Sequence, residues 1–436
     1  MEVSLHDILN AREARAIRQQ ELLRQYGCPL ICFTMNIAGP VKCSPLILRG
    51  FREGLALLDG KLSQVLVRQS FEKPTGPEAY FVVDTAATRL KDICTVLEEA
   101  TPLGRLVDMD VIGTDGAKLA RITQRGCLVC GKPGRACAAR RTHPAQQLQE
   151  VTRQILRDHF AVADRARIAA AAVQSLLDEV HTTPKPGLVD RRNNGSHTDM
   201  TVRHFIDSAN ALAPYFTECV KLGQETADQS PQDTFPLLRQ AGLAAEKAMY
   251  EATGGVNTHK GAIYTLGVLC GSIGRLWSPE QPIPVVDAIL TECADMVRSS
   301  AHADLASATG KTAGEQLFLQ HGLRGIRGEV AAGLPSVRNI GLPVYEELLC
   351  KGLSPNDAGA VTLLHLIAQV EDTNLYHRGG CTGAQWAAYA VKALLPQPTL
   401  SQLAELDDAF IARNLSPGGC ADLLAVTYFL HKVKQP

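Results

Sequence analysis

From about Asp164 to the end of the chain, Ala- and Leu-rich stretches at helical spacing alternate with Gly- and Pro-containing loops, and strand-like alternation disappears. Such a segment has one way to bury its apolar stripes, which is helix against helix. Helices are expected at Ala169–Val180, Val202–Phe216, Leu237–Ala252, Ala262–Leu276, Val285–Ser300, Ala358–Glu371, Ala384–Leu395 and Ala421–Lys434. Before Asp164 the pattern is mixed. Helical stretches at Val3–Gln25, Leu46–Leu62 and Arg89–Glu99 are interleaved with extended runs at Pro29–Val41, Gln64–Gln69 and Ala79–Val83, rich in β-branched and aromatic residues. Arg105–Ile122 has the signature of a hairpin turning at Thr114-Asp115-Gly116. The chain is longer than one hydrophobic core sustains. The expectation is therefore an α+β domain over 1–163 followed by a mostly all-α domain over 164–436.

Composition narrows the function classes. Lys plus Arg number 44 against 45 Asp plus Glu, so no basic field exists to draw nucleic acid or an anionic membrane. Met1–Asn10 is charged and no apolar run is long enough to span a bilayer, which points to the cytoplasm. The thirteen cysteines, an odd number with no leader, point to free thiols rather than a disulfide framework.

In the helical part the most informative segment is Ala252-Thr253-Gly254-Gly255-Val256-Asn257-Thr258-His259-Lys260-Gly261, between two expected helices. Glycines let backbone amides approach a phosphate, the following helix offers unpaired N–H groups, and Lys260 adds a charge. Four further loops are Gly-rich and polar: Pro184–Arg191, Thr312–Glu315, Asp372–Asn374 with Arg378-Gly379-Gly380, and Asn414–Gly419 with Asp422. Asp190, Glu315, Asp372 and Asp422 suit a magnesium ion on phosphates, while each alone also suits a helix cap. Gly310-Lys311-Thr312 ends like a P-loop, but Leu305 replaces its first glycine and no strand precedes it, so a P-loop ATPase is excluded; no dinucleotide fingerprint follows a strand either.

Taken in order, His181–Asp190, Ala252–Gly261, Thr312–Glu315 with Arg327-Gly328-Glu329, Asp372–Gly380 and Asn414–Leu424 resemble triphosphoribosyl-dephospho-CoA synthase. The resemblance implies attack of the ribose 2'-hydroxyl of 3'-dephospho-CoA on the anomeric carbon of ATP, with adenine leaving. Such a reaction has an oxocarbenium-like transition state and requires a base, a proton donor and cations for the triphosphate. On that basis Lys185, Gly254, Gly255, Asn257, Thr258, His259, Lys260 and Arg378 are the expected phosphate binders, Asp372 and Asp422 the magnesium ligands, and Glu246 or Glu315 the base.

In the first part, Asp108 and Asp110 stand two apart in an expected strand and so share a face, where they could hold a divalent metal against a triphosphate or simply be solvated. Arg105, with Arg49, Arg52 and Arg121, is a candidate phosphate contact, though solubility alone also demands charged surface residues. Cys127-x2-Cys130-x6-Cys137-x5-His143 offers candidate zinc ligands, with free thiols as the alternative. Cys28–Arg52, Pro102–Val111 and Arg125 through Arg141 and His143 resemble apo-citrate lyase phosphoribosyl-dephospho-CoA transferase, the holo-citrate lyase synthase. The resemblance implies a nucleotidyltransferase-like fold and transfer of phosphoribosyl-dephospho-CoA to a serine of the apo-citrate lyase acyl carrier protein, with pyrophosphate released. Arg135, Arg140 and Arg141 are the expected contacts for that carrier. The alternatives are the equivalent pair serving malonate decarboxylase, or a catalytic second domain behind a non-catalytic zinc-stabilised module.

Overall fold

A computed structural model of the chain describes residues 2–121, 124–306, 309–310, 313–396 and 398–435. It divides into two compact units, Met1–Ala163 and Asp164–Pro436.

The first unit contains α1 (Leu5–Tyr26), β1 (Leu30–Met35), α2 (Pro45–Asp59), β2 (Val65–Phe71), β3 (Glu78–Val83), α3 (Ala87–Ala100), β4 (Val107–Ile112), α4 (Gly134–Arg140) and the start of α5 (Ala145–His181). The strands form one antiparallel sheet in the order β2-β3-β1-β4. Alternation along the strands sorts side chains to two cores. Ile31, Phe33, Phe81, Val107, Met109 and Val111 pack with Phe51 and Leu55 of α2 and Leu90 of α3, while Leu30, Cys32, Tyr80 and Val82 pack with Leu22 of α1. The same alternation turns Asp108 and Asp110 away from the α2–α3 core, on the edge strand β4, opposite Thr34 and Cys32 of β1. Full burial of a Phe or Leu side chain contributes about 1.5–3 kcal/mol, so these clusters carry the sheet.

The expected hairpin forms in part. β4 is its first arm and Gly116 makes the turn with φ +79°, but the return arm is a single bridge between Ile112 and Lys118. Beyond it the chain is drawn toward α3, where Arg121 pairs with Glu98 at 3.0 Å and Glu99 at 3.1 Å. Ile122 lies outside the described residues.

The second unit holds the rest of α5, then α6 (Val202–Ala211), α7 (Ala213–Glu225), α8 (Pro231–Ala252), α9 (Lys260–Leu276), α10 (Val286–Ala306), α11 (Ala313–His321), α12 (Gly325–Ala331), α13 (Leu342–Cys350), α14 (Pro355–Gln369), α15 (Thr373–Lys392), α16 (Leu400–Ala412) and α17 (Gly418–Lys434). Helix α9 is apolar on all sides and buried from Ala262 to Arg275 except at Tyr264, as a central helix must be. Its neighbour α7 crosses closely: a Cβ at Gly223 would lie 2.1 Å from the Gly271 carbonyl, and one at Gly274 2.2 Å from the Val220 carbonyl. Arg275, near the C-terminal end of α9, is held by Glu292 at 2.5 Å, the Thr234 hydroxyl at 2.8 Å and the Gln229 carbonyl at 2.9 Å.

Several expected helices differ in extent: Ala169–Val180 is the C-terminal part of α5, and Leu237–Ala252 belongs to α8, which starts at Pro231. Val202–Phe216 is two helices meeting at Leu212, where Pro214 occupies the first turn of α7 and has no N–H to continue α6. Ala384–Leu395 is the second half of α15, which starts at Thr373 and is interrupted at Gly380 (φ +62°, ψ −168°).

Candidate functional site

In the helical unit a cavity of about 840 Å³ opens among loops and helix starts that are far apart in sequence. Glu179 and Lys185 reach it from the end of α5 and the loop after it, Asn257–Gly261 from the start of α9, Gly322–Ile326 with Gly328 and Glu329 from the α11–α12 region, Asp372–Asn374 and Arg378 from α15, and Gly418, Gly419 and Asp422 from α17. Four of the five loops singled out in the sequence thus meet. The fifth does not: Lys311 and Thr312 lie outside the described residues, and Glu315 lies off the cavity, accepting the Thr309 amide at 3.2 Å. Glu246 is also off the cavity wall, in α8, ion-paired with Lys260 at 2.9 Å.

Several expected phosphate contacts have other duties. Gly254 and Gly255, with φ of +65° and +95°, shape the α8–α9 turn but do not line the cavity. Lys185 is 1% exposed, ion-paired with Glu179, and donates to the Glu179 carbonyl at 2.7 Å. Arg378 donates to the Ser196 carbonyl at 2.8 Å and the Asn414 side chain at 2.9 Å, joining two walls. Asp372 caps α15, accepting the amides of Asn374 at 2.7 Å and Leu375 at 3.2 Å on one oxygen, and takes the Cys420 amide at 2.7 Å on the other. It stitches the starts of α15 and α17 together. Asp190, away from the wall, braces its own loop through the amides of Lys185, Arg192 and Asn193.

Asp422 is different. It stands against the first turn of α9 so closely that a Cβ at Gly261 would fall 1.9 Å from its carboxylate. Among the described residues it has no hydrogen-bond partner. Desolvation first, then the charges of Glu179 and Asp372, push its carboxyl well above the ordinary range. His259 is its counterpart of neutral character: Nδ1 meets the Ser208 hydroxyl at 2.7 Å, while Nε2 and the neighbouring Thr258 hydroxyl are buried with no protein partner. Burial, with Lys185 adding repulsion, lowers the imidazole pKa to about 3. Buried polar atoms left unpaired are uncommon, and here both belong to residues on a cavity wall. Glu179 and Arg324, which sequence patterns did not single out, also line it. A carboxylate within a long helix and an isolated arginine leave no motif.

In the first unit a second cavity, of about 1140 Å³, is lined by Asp108, Asp110, Lys91, Arg105, Lys118, Arg121 and Arg125, and also by Cys127, Cys137 and His143. Asp110 is ion-paired with Lys118, and burial, then Asp108, raises its carboxyl. Arg105, the expected phosphate contact, donates to the Gly126 carbonyl at 2.7 Å. Arg52 lies elsewhere, paired with Glu72 at 2.8 Å, and Arg49 stacks on Phe160 at 3.8 Å. The ligand atoms of Cys127, Cys130, Cys137 and His143 all lie within 4.8 Å of one another, a set fit for a metal ion. Arg135 and Arg141 line this cavity and Arg140 does not. Among the described residues no helix is long and apolar enough to cross a membrane.

Each of the two separately cored units thus has its own cavity, lined by both carboxylates and cations. Residues 165–436 match the family described as CitG, ATP:dephospho-CoA triphosphoribosyl transferase, and residues 3–159 the family described as CitX, apo-citrate lyase phosphoribosyl-dephospho-CoA transferase. The chain belongs to the CitG family, with a CitX-family domain ahead of it. A Haemophilus influenzae protein named Protein CitXG is 37% identical over 451 residues, covering 98% of this chain and 96% of the relative. A Leuconostoc mesenteroides protein of the same name is 33% identical over 460 residues, 99% of this chain and 97% of its own. A Klebsiella pneumoniae 2-(5''-triphosphoribosyl)-3'-dephosphocoenzyme-A synthase is 42% identical over 274 residues, 60% of this chain and 89% of its own.

Proposed function

We propose that the chain performs two consecutive group transfers in building the citrate lyase prosthetic group. Over 164–436, the 2'-hydroxyl oxygen of 3'-dephospho-CoA bonds to C1' of the ATP ribose as the C1'–N9 bond breaks. Adenine leaves with the electron pair and takes up a proton, giving 2'-(5-triphosphoribosyl)-3'-dephospho-CoA. The observation that carries this reading is the cavity itself, where Asp422 faces the wall made by Lys185, Asn257–Lys260 and Arg378.

Asp422 is the carboxylate we assign as base, replacing Glu246 and Glu315, because it lines the cavity and is not committed to another group. Its raised proton affinity suits it to take the hydroxyl proton. The amides opening α9, with Lys260 and Arg324, bind phosphate oxygens. His259 Nε2 and the Thr258 hydroxyl supply hydrogen bonds to the bound nucleotide. Magnesium bound with the triphosphate would neutralise its charge. Asp372 would hold it only through the one of its carboxylate's roughly four lone-pair sites that the three amides leave open.

Over 1–163, the serine hydroxyl of the apo-citrate lyase acyl carrier protein attacks the α-phosphorus of that product. The bond to pyrophosphate breaks and the serine proton is lost. Asp108 and Asp110, on one face of an edge strand, would hold the divalent ion in a nucleotidyltransferase-like arrangement, and Arg135, Arg140 and Arg141 would meet the carrier. The four-ligand cluster takes zinc. The apo-citrate lyase description over residues 3–159 favours this acceptor over the malonate decarboxylase carrier, and favours catalysis over a passive module.

The test is to supply purified protein with ATP, 3'-dephospho-CoA and magnesium. Adenine together with the triphosphoribosyl-dephospho-CoA mass is expected, and pyrophosphate once apo-carrier is added. Folded, ATP-binding protein that releases no adenine contradicts the reading.

A further inference from the structure

From Thr114 to Val151 the chain makes a long excursion in which no described residue is buried. A segment without a core of its own needs another source of order. Within it the four ligand atoms of Cys127, Cys130, Cys137 and His143 converge. The Cys130 and Cys137 sulfurs are 3.4 Å apart, and Cys137 Sγ is 4.0 Å from His143 Nε2. Tetrahedral zinc with bonds of about 2.3 Å to sulfur spaces its ligands by about 3.8 Å, inside this range. The backbone supports the same reading. Gly131, directly after Cys130, has φ +69° and returns its amide to the Cys127 carbonyl at 3.0 Å, a tight turn that aims both thiols to one side. The outer nitrogen of His143 faces the Gln147 side-chain oxygen at 3.3 Å, the kind of contact that orients a metal-bound imidazole.

Two arginines bind this loop to the strand carrying the carboxylate pair and to the turn that leads into it. Arg125, two residues before Cys127, donates to the Val107 carbonyl, directly before Asp108, at 2.7 Å. Arg105 donates at 2.7 Å in the reverse direction, to the Gly126 carbonyl directly before Cys127. We infer that Cys127, Cys130, Cys137 and His143 bind one structural zinc ion that holds one wall of the Asp108–Asp110 cavity in place, so that zinc loss disables carrier loading and spares adenine release. The metal assignment stands on geometry alone; its consequence rests on the proposed transfer reaction.

The full chain, purified without chelator, is expected to hold about one zinc per chain, and its cobalt-substituted form to show tetrahedral, thiolate-ligated absorption. Cys137→Ser and His143→Ala should each lose the metal, with Cys350→Ser as the control that keeps it. In the metal-free forms, transfer of supplied intermediate to carrier should fall about a hundredfold while adenine release stays within about twofold. Trypsin should then cut between Thr114 and Pro144 without cutting α9, a readout independent of activity. Metal-free wild type, or an intact mass showing a Cys130–Cys137 disulfide in its place, overturns the site. Undiminished transfer or unchanged cleavage after zinc loss overturns its role. Zinc-loaded wild type that never loads carrier contradicts the transfer reading instead, and leaves the metal count and the cleavage result to stand.

Discussion

The two cavities are of similar chemistry and opposite construction. The one in the helical unit is framed by the ends of helices whose other faces make the main core, so packing around α9, α14 and α17 fixes Asp422, His259 and Asp372 before any ligand arrives. The one in the first unit has a firm side, β4 with Val107, Met109 and Val111 in the core, and another side built from a segment in which no described residue is fully buried. Binding sites set by a core fail when the core fails. Sites set by a loop fail when whatever ties the loop is removed.

That contrast can be broken most severely at Asp422. Asp422→Asn should lower adenine release by about 10²–10⁴, measured by chromatography, while leaving transfer of supplied intermediate unchanged; equal loss of both activities would dissolve the separation of the two sites. Packing is tested at Gly223→Ala. Alanine gains about 1 kcal/mol in helix propensity, yet its Cβ would meet the Gly271 carbonyl at 2.1 Å and the Arg275 nitrogen at 2.9 Å. Backbone obstacles prevail, so calorimetry should show a net loss of about 1–3 kcal/mol in the transition of the helical unit.

A third test concerns charge in that core. The His259 pKa is about 3 when folded, against an ordinary 6.5, so the unfolded chain binds the proton more readily. Its contribution to stability is constant above the unfolded value and is lost as pH falls from there toward 3. Between pH 7 and 5 the loss should be about 2 kcal/mol, visible in urea midpoints and absent in His259→Gln. The smallest effect is expected at Glu246→Gln: an exposed ion pair is worth about 1 kcal/mol at most, so adenine release should change less than about fivefold.

How much of this could be read from the residues follows the same division. Period-two alternation puts Asp108 and Asp110 on one face, as the fold does, and the polar run Asn257–Lys260 after a double glycine, which reads as a phosphate cradle, lines a cavity. Which carboxylate stays uncommitted was not legible. Asp372 and Asp422 look alike in sequence, and only the fold gives the first to three amides and leaves the second facing the cavity. Glu179 is hidden in the same way, because a carboxylate at the end of a long Ala-rich helix has the pattern of a solvated one until Lys185 folds back onto it. Nor do the residues alone show that the fold sets Glu246 and Glu315 off the cavity wall. The cysteine spacing was visible, but neither its convergence nor its arginine ties to β4 could be, since both depend on long-range contacts.

The most direct measurement follows Asp108→Asn given ATP, 3'-dephospho-CoA, magnesium and apo-carrier together. The account predicts that adenine appears, that the triphosphoribosyl-dephospho-CoA mass accumulates, and that carrier stays unmodified. Failure of that variant to make the intermediate, or carrier loading at the unaltered rate, would contradict the assignment of the two transfers to two separate sites.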